Sequence, residues 1–252
     1  MNELMEPSDI SILYEDNHLL VVIKPYNLPT QEDESRDPDL LTMLKSYLKK
    51  KYNKPGDVFL GLVHRLDRPA GGVMVFAKTS KAASRLSEAI RMRAFDKVYL
   101  AVIHGTPTPL AGSLHHWLSK DPSSYDVSVV QPSVQGAKEA WLDYTVIKSM
   151  MTLRESKLHL SVPDDKLCIV RIQLHTGRSH QIRVQFAAIG HPLWGDQRYG
   201  THVNRVGQQL ALWSHEISFK HPTRFEQMQF RADPPQQLPW SQWMNLIRDF
   251  PQ

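Results

Sequence analysis

One cysteine, Cys168, stands among 252 residues. That excludes an intramolecular disulfide framework and every multi-cysteine zinc site, including the Pro-Cys-x-x-Cys element of zinc base deaminases. Long apolar runs are also missing. Stretches such as Leu19 to Ile23 are far too short to span a bilayer. Met1 to Asp9 hold three acids and no base, so no signal or transit peptide is expected, and the expected setting is cytoplasmic, without a membrane partner. No Gly-x-Gly-x-x-Gly follows a strand pattern and no Lys-Ser/Thr follows a glycine-rich turn, so no nucleotide cofactor is indicated. The twelve histidines lack the i, i+4 pair with glutamate of a zinc peptidase. His175 and His180 straddle Gly177, and His115 and His116 are adjacent, so no metal is expected. There is no internal repeat.

What is present is ordinary in amount and uneven in placement. A hydrophobic fraction of 41% and a charged fraction of 22% suit a globular chain and exclude a largely disordered one. The net charge is +4, but residues 1–35 hold eight acids and one base, while residues 36–104 hold fourteen bases and six acids. A basic segment beside an acidic one points to a polyanion held on one face, nucleic acid first. Taken alone, Lys49-Lys50-Lys51 reads as a solvated helix end.

Ile12 to Tyr14 and Leu19 to Ile23 read as strands around a turn at Glu15-Asp16-Asn17. Asp37 with Pro38 reads as an N-cap and first helical residue, followed by Leu40, Leu41, Leu44, Tyr47 and Leu48 at helical spacing. Val58 to Val63, Val73 to Ala77 and Val98 to Ile103 read as strands, and Ser80 to Arg93 as a helix. Gly112 to Trp141 reads as a hairpin excursion from the main sheet. Val170, Ile172 and Leu174 alternate with Arg171, Gln173 and His175 as in a half-buried strand. A helix is expected after Gly177, running through Ile182, Phe186 and Ile189 and stopping at Gly190, and a closing helix over Leu238 to Phe250. Cys168 and the Trp213, Trp240 and Trp243 group are expected in the core. Strands come in runs with few helices between them, which favours an α+β fold with a mixed, mainly antiparallel sheet, flanking helices and a basic cleft. Residues 10–232 are expected to form one catalytic domain, with 233–252 a tail packed on it.

Two segments carry chemistry. His64-Arg65-Leu66-Asp67-Arg68-Pro69-Ala70-Gly71-Gly72-Val73 joins two strands, and Leu174-His175-Thr176-Gly177-Arg178-Ser179-His180-Gln181-Ile182-Arg183 runs from a strand into a helix. Asp67 lies between Arg65 and Arg68, whose charges favour its ionised form, as suits a nucleophile or base; a turn aspartate capping its own loop is the structural alternative.

The chain resembles the RluA-type pseudouridine synthases. The likeness runs through Ile12-Leu13-Tyr14-Glu15-Asp16-Asn17-His18-Leu19-Leu20-Val21-Val22-Ile23-Lys24-Pro25, His64 to Arg68, Lys97-Val98-Tyr99-Leu100-Ala101 and Thr176 to Arg183. It continues in His191-Pro192-Leu193-Trp194-Gly195-Asp196 and Ile217-Ser218-Phe219-Lys220-His221-Pro222, in order, across about residues 10 to 232. The resemblance implies the pseudouridine synthase fold and cofactor-free isomerisation of uridine in ribosomal or transfer RNA, with the target base drawn out of its stack. It implies that Asp67 starts glycosidic cleavage, that Tyr99 packs on the base and helps remove the C5 proton, and that Arg178 pairs with the aspartate. Arg65 fills the space of the flipped nucleotide, and Arg68, Lys97, His180 and Arg183 are expected to bind RNA, with a structural role the alternative for Lys97 and Arg183. Where the family commonly has Thr-Ser-Gly, this chain has Ala70-Gly71-Gly72, and where it has Leu-His-Ala, Leu212-Trp213-Ser214. No S4-type module is expected before Ile12, so RNA selection falls to the catalytic domain with the 112–140 excursion or the basic 45–54 stretch, and a monomer is expected. The competing expectations are an inactive RNA-binding protein of the same fold and a metal-dependent hydrolase built on the histidines.

Overall fold

The computed structural model describes residues 9–152 and 166–248. Residues 1–8 of the acidic N-terminal stretch and the Phe250 end of the expected closing helix lie outside them. The fold is α+β, with a mainly antiparallel arrangement of strands. The chain falls into two compact units, residues 1–96 with 214–232 and residues 97–213 with 233–252.

In the first unit, β1 (Ile12–Glu15), β2 (Leu19–Lys24) and β4 (Gly71–Ala77) lie side by side, with β10 (Leu212–Lys220) next to β4. β3 (Gly61–Leu62) pairs with β4, and β11 (Gln227–Arg231) pairs with β10. Leu19 to Val22 and Val73 to Ala77 are fully buried, as continuous apolar strands covered on both faces must be. α1 (Leu40–Lys51) and α2 (Ser80–Arg91) bury Leu40, Leu44 and Leu48, and Ala82 and Leu86, at i, i+4 spacing. The N-cap of α1 is Asp39, not Asp37, because the Asp39 carboxylate reaches the Thr42 N–H at 3.0 Å. Asp37 pairs with Arg68 instead. Lys49, Lys50 and Lys51 do end the helix, where cations meet its carbonyl end, but Lys51 is no free solvated charge: its ammonium binds Glu15 at 2.8 Å. Of the strand expected over 58–63 only Gly61–Leu62 forms, and Phe59 turns out to solvent.

In the second unit the strand order is β5 (Phe95–His104), β9 (Lys166–Leu174), β8 (Lys138–Thr152), β6 (Ala111–Lys120) and β7 (Val127–Val130), all antiparallel neighbours. The 112–141 segment is thus part of this sheet and not an excursion from it. β6 pairs with β8 from Ala111↔Thr145 to Leu118↔Lys138, and buries Leu114 and Leu118 on one face while Ser113 and His115 make the other polar. α3 (Gln181–Ala188) starts later than expected, since His180 has a left-handed backbone with φ of 52°. It sets Val184 against Leu118, Val127 and Ala140. Cys168, Trp213, Trp240 and Trp243 are buried as expected. The closing segment forms a short 3-10 helix, Trp240–Gln242, and α4 (Met244–Arg248). No helix among the described residues is long and apolar enough to cross a membrane.

Candidate active site

Asp67 sits in the loop between β3 and β4, half-buried. Its carbonyl accepts from Ala70 N–H at 3.0 Å, closing a turn over Arg68-Pro69. Beneath the turn lies Lys24, the last residue of β2, with no exposed surface. Its ammonium donates to the carbonyls of Ala70 (2.6 Å), Pro25 (3.0 Å) and Arg68 (3.1 Å). Burial pushes the Lys24 pKa down to about 7, with the Asp67 charge acting against that and Arg68 adding to it. Thr30 fixes the residue before the aspartate, exchanging hydrogen bonds with the Leu66 carbonyl (2.8 Å) and N–H (3.3 Å). His64 Nε2 accepts from Val75 N–H at 3.1 Å, so this loop is tied to the strand that follows it. Arg65 and Arg68 are exposed, and Arg68 donates to Ser35 Oγ at 3.1 Å besides its pair with Asp37.

The loop without threonine and serine hydroxyls is therefore held by its backbone. Gly72 is required there: its φ is +119°, and a Cβ would lie 2.2 Å from the Ser214 carbonyl oxygen. Ser214 Oγ in turn donates to the Val73 carbonyl at 3.0 Å. The two departures from the family pattern, Ala70-Gly71-Gly72 and Leu212-Trp213-Ser214, meet at this contact.

The second group of expected residues lies in the other unit. Tyr99 is on β5, 6% exposed, opposite Ile172. Lys97 lies two residues earlier, on the same side of the strand, and is 7% exposed; burial lowers its pKa. Its Nζ is the neighbour of Gly177, where a Cβ would stand 3.5 Å away. Arg178 lies in the loop before α3 rather than inside the helix, and is exposed. Its Nε donates to the Glu139 carbonyl at 2.8 Å, which fixes the direction of the outer edge of the guanidinium. Gln181 braces the loop from within: its Oε1 accepts from Thr176 Oγ1 (2.8 Å) and Arg178 N–H (3.0 Å), and its Nε2 donates to the Trp141 carbonyl (3.2 Å).

His180 and Arg183 face protein. His180 Nδ1 meets the Tyr199 hydroxyl at 2.7 Å. Arg183, 6% exposed, forms a bidentate pair with Asp196, both bonds 2.8 Å. Burial alone would raise the Asp196 pKa; Arg183 and the N–H groups of Tyr199 and Arg198 outweigh it and hold the carboxyl below its usual range. Of the two roles expected for Arg183, this geometry favours the structural one, because a guanidinium inside an ion pair does not face phosphate. Gly195, φ +74°, allows the segment before Asp196 to pass Gln209, whose carbonyl would be 2.1 Å from a Cβ.

Sequence reading missed Lys24, Gln181 and Asp196 as parts of the site's frame, although each lies in a segment that carries the resemblance. Among the described residues, no group of three or more His, Cys, Asp or Glu side chains is arranged to hold a metal ion.

A family model described as RNA pseudouridylate synthase matches residues 18–188. The chain is 34% identical over 239 residues to the uncharacterized RNA pseudouridine synthase YjbO of Bacillus subtilis, covering 93% of this chain and 76% of that protein. It is 31% identical over 243 residues to ribosomal large subunit pseudouridine synthase D of Yersinia pestis, covering 91% and 68%. Among solved structures, human RNA pseudouridylate synthase domain containing 4 superposes with a TM-score of 0.70 at 22% identity, over 89% of this chain and 88% of that one. At that identity the likeness is one of fold.

Proposed function

Because the chain belongs to the RNA pseudouridylate synthase family and is an RNA pseudouridine synthase, an isomerase, we propose that Asp67 initiates its reaction. In that reaction the N1–C1′ bond of a uridine breaks, the uracil turns, C5 joins C1′ and the C5 proton leaves. Substrate and product are isomers, so the chemistry asks for a carboxylate at C1′ or at a ribose proton and for a base at C5, and consumes no oxidant, reductant or energy source.

The observation that supports Asp67 most strongly is the way its turn is held. A buried ammonium gathers three backbone carbonyls around it, while the aspartate itself stays half-exposed. A turn fixed from below presents its carboxylate in one place, as a group that must meet a flipped nucleotide requires. Tyr99 acts at the base and assists loss of the C5 proton. Arg178 orients the aspartate. Arg65 and Arg68, both exposed, and Lys97 contact the RNA. The substrate is ribosomal or transfer RNA, and the name of the Yersinia relative favours ribosomal RNA. The enzyme works in the cytoplasm as a monomer, with residues 10–232 as its catalytic domain and 233–252 as a tail on it.

The test is tritium release from RNA carrying 5-tritiated uridine, compared between the wild type and Asp67→Asn. The amide has the shape of the carboxylate but cannot act as an anion or base. Turnover is expected to vanish while RNA affinity stays within a few-fold. A folded Asp67→Asn protein, checked by circular dichroism, that still releases tritium would overturn the assignment.

A further inference from the structure

Far from Asp67, the first unit carries a cavity of about 400 Å³ that the reaction does not use. It is lined by Asn17, Leu48, Tyr52, Lys54, Asp57, Val58, Phe59 and Lys78. It lies at the Ala77 end of β4, where β3 begins, whereas Asp67 precedes the Gly71 end. The seven residues of the strand span six steps, about 20 Å at ~3.3 Å per residue. The cavity is therefore no part of the place where Asp67 acts.

Two of its walls are exposed aromatic rings, Phe59 at 52% and Tyr52 at 46%. Leaving large rings in water loses the free energy of burying them, so their setting matters. Tyr52 is held firmly. Its hydroxyl donates to Glu15 at 2.6 Å, and Lys78 stands over its ring at 4.8 Å. Glu15 also takes Lys51 (2.8 Å), Lys78 (2.7 Å) and the Tyr47 hydroxyl (3.0 Å). Burial would raise the Glu15 pKa, and these donors instead bring it to about 2, so the anchor stays charged throughout the neutral range. The outcome is a fixed aromatic ring, partly open to solvent, in the wall of the same cavity that Phe59 lines.

The rim is basic and polar. Lys54 is exposed beside the cavity, and Lys49 and Lys50 follow one another on the exposed end of α1. Asn17 offers an amide donor and acceptor, and Asp57 an acceptor-only carboxylate. Aromatic walls, lysines for a phosphate and an amide and carboxylate for polar edges are the elements of single-stranded RNA recognition. A volume of about 400 Å³ lies at the lower end of small-ligand sites, a scale suited to one nucleotide rather than a helix.

We infer that this cavity is a second RNA subsite, which takes one unpaired nucleotide of the substrate with its base stacked against Phe59 and Tyr52 and its phosphate near Lys54. The inference rests on RNA being the substrate and places there a nucleotide other than the uridine that is isomerised. The subsite gives the enzyme a grip on RNA remote from the reacting nucleotide, and so a means of selecting it.

The experiment uses the full chain and a single-stranded RNA decamer containing one 2-aminopurine, whose fluorescence is quenched on stacking. Phe59→Ala is expected to weaken binding about tenfold and to abolish the quench, while Phe59→Tyr retains both. An Asp67→Asn protein should quench as the wild type does, which separates this subsite from the catalytic assignment. With 5-tritiated uridine RNA, Phe59→Ala should raise KM and leave the single-turnover rate at saturation unchanged. Equal binding and quench in wild type and Phe59→Ala would overturn the inference. So would photocross-links from a 4-thiouridine decamer that fall everywhere but Tyr52, Phe59 and their neighbours. A cavity that takes up a protein partner and leaves RNA binding untouched would do the same.

Discussion

Replacing Lys24 by methionine isolates what the buried ammonium does. The thioether has nearly the same length and no charge, and three carbonyls lose their donor. In the folded protein the amine titrates at about 7 against an ordinary 10.5, because burial disfavours its charge. A depressed pKa means that the unfolded chain binds the proton more tightly. Between pH 7 and 10.5 unfolding therefore takes up a proton, and stability rises with pH at about 1.4 kcal/mol per unit from this group. Across the whole window that amounts to about 5 kcal/mol; below pH 7 the penalty is constant, and above 10.5 it is gone. Lys24→Met has no such window. Its stability should fall below that of the wild type by an amount that grows from pH 7.5 to 9.5. Losing the donor to buried carbonyls adds ~1–3 kcal/mol at every pH. Urea denaturation of both proteins at several pH values measures the difference, which cancels all other titrations. Parallel curves would refute the reasoning, since they would mean that Lys24 titrates alike in the folded and unfolded chains. In the same variant the Asp67 turn loses its support, so single-turnover rates should drop by about tenfold while RNA affinity holds.

On the role proposed for Tyr99, with the phenol acting at C5, Tyr99→Phe should preserve packing and RNA binding but lose product formation; wild-type rates in a tritium-release assay would confine Tyr99 to packing. Arg178→Lys keeps the charge and loses the planar fork, so the chemical step should slow by ~10- to 100-fold, about 1.4–2.7 kcal/mol of barrier, with the salt dependence of RNA binding unchanged. Weak binding with normal single-turnover chemistry would move Arg178 to the phosphate-binding surface. Asp196→Asn leaves the Arg183 guanidinium buried without its partner and should cost about 3–5 kcal/mol of stability, read by urea denaturation. Because the Asp196 pKa is lowered in the fold, its contribution is present above the usual carboxylate range and disappears as pH falls through the lowered value, so the two proteins should converge in acid.

The strands and helices that read clearly in the sequence are those whose periodicity is set by burial on one or two faces. β2 and β4 extend little beyond the apolar runs that announce them, β5 runs from Phe95, three residues before its expected start, to His104, and α2 starts where its stripe does. Boundaries set by one polar side chain are less legible. Asp37 reads as the cap because Pro38 follows it, but Arg68 takes its carboxylate and Asp39 caps the helix. The 112–141 segment reads as peripheral because only alternate residues of β6 are buried, and a sequence does not say that its neighbour is β8. At the site, the residues that would touch substrate are recognisable as motif members, but their supports are not. Lys24 reaches carbonyls 44 and 46 residues away, and His221, fully buried, meets Asp16 across 205 residues at 2.9 Å. Such partnerships are made by topology, and no local spacing encodes them. Asp16 reads as a turn residue, which it is, with its carboxylate accepting from His18 and Leu19 N–H; that it also receives His221 is a property of the folded chain alone.

The backbone contact between Gly72 and Ser214 has a consequence in time. The strand that seats the Asp67 loop leaves the ribosome long after the loop itself, for Val73 and Ser214 are 141 residues apart. At ~5–20 residues per second the interval is about 7–30 s. Throughout it the nascent chain carries every residue of the aspartate loop but lacks the β10 edge against which β4 lies. Translation thus withholds the β10 side of the Asp67 loop until most of the protein has been made. A chain released early, before Ser214, already has Lys24 and Thr30 to hold the Asp67 turn but lacks the strand that closes on Gly72 and Val73.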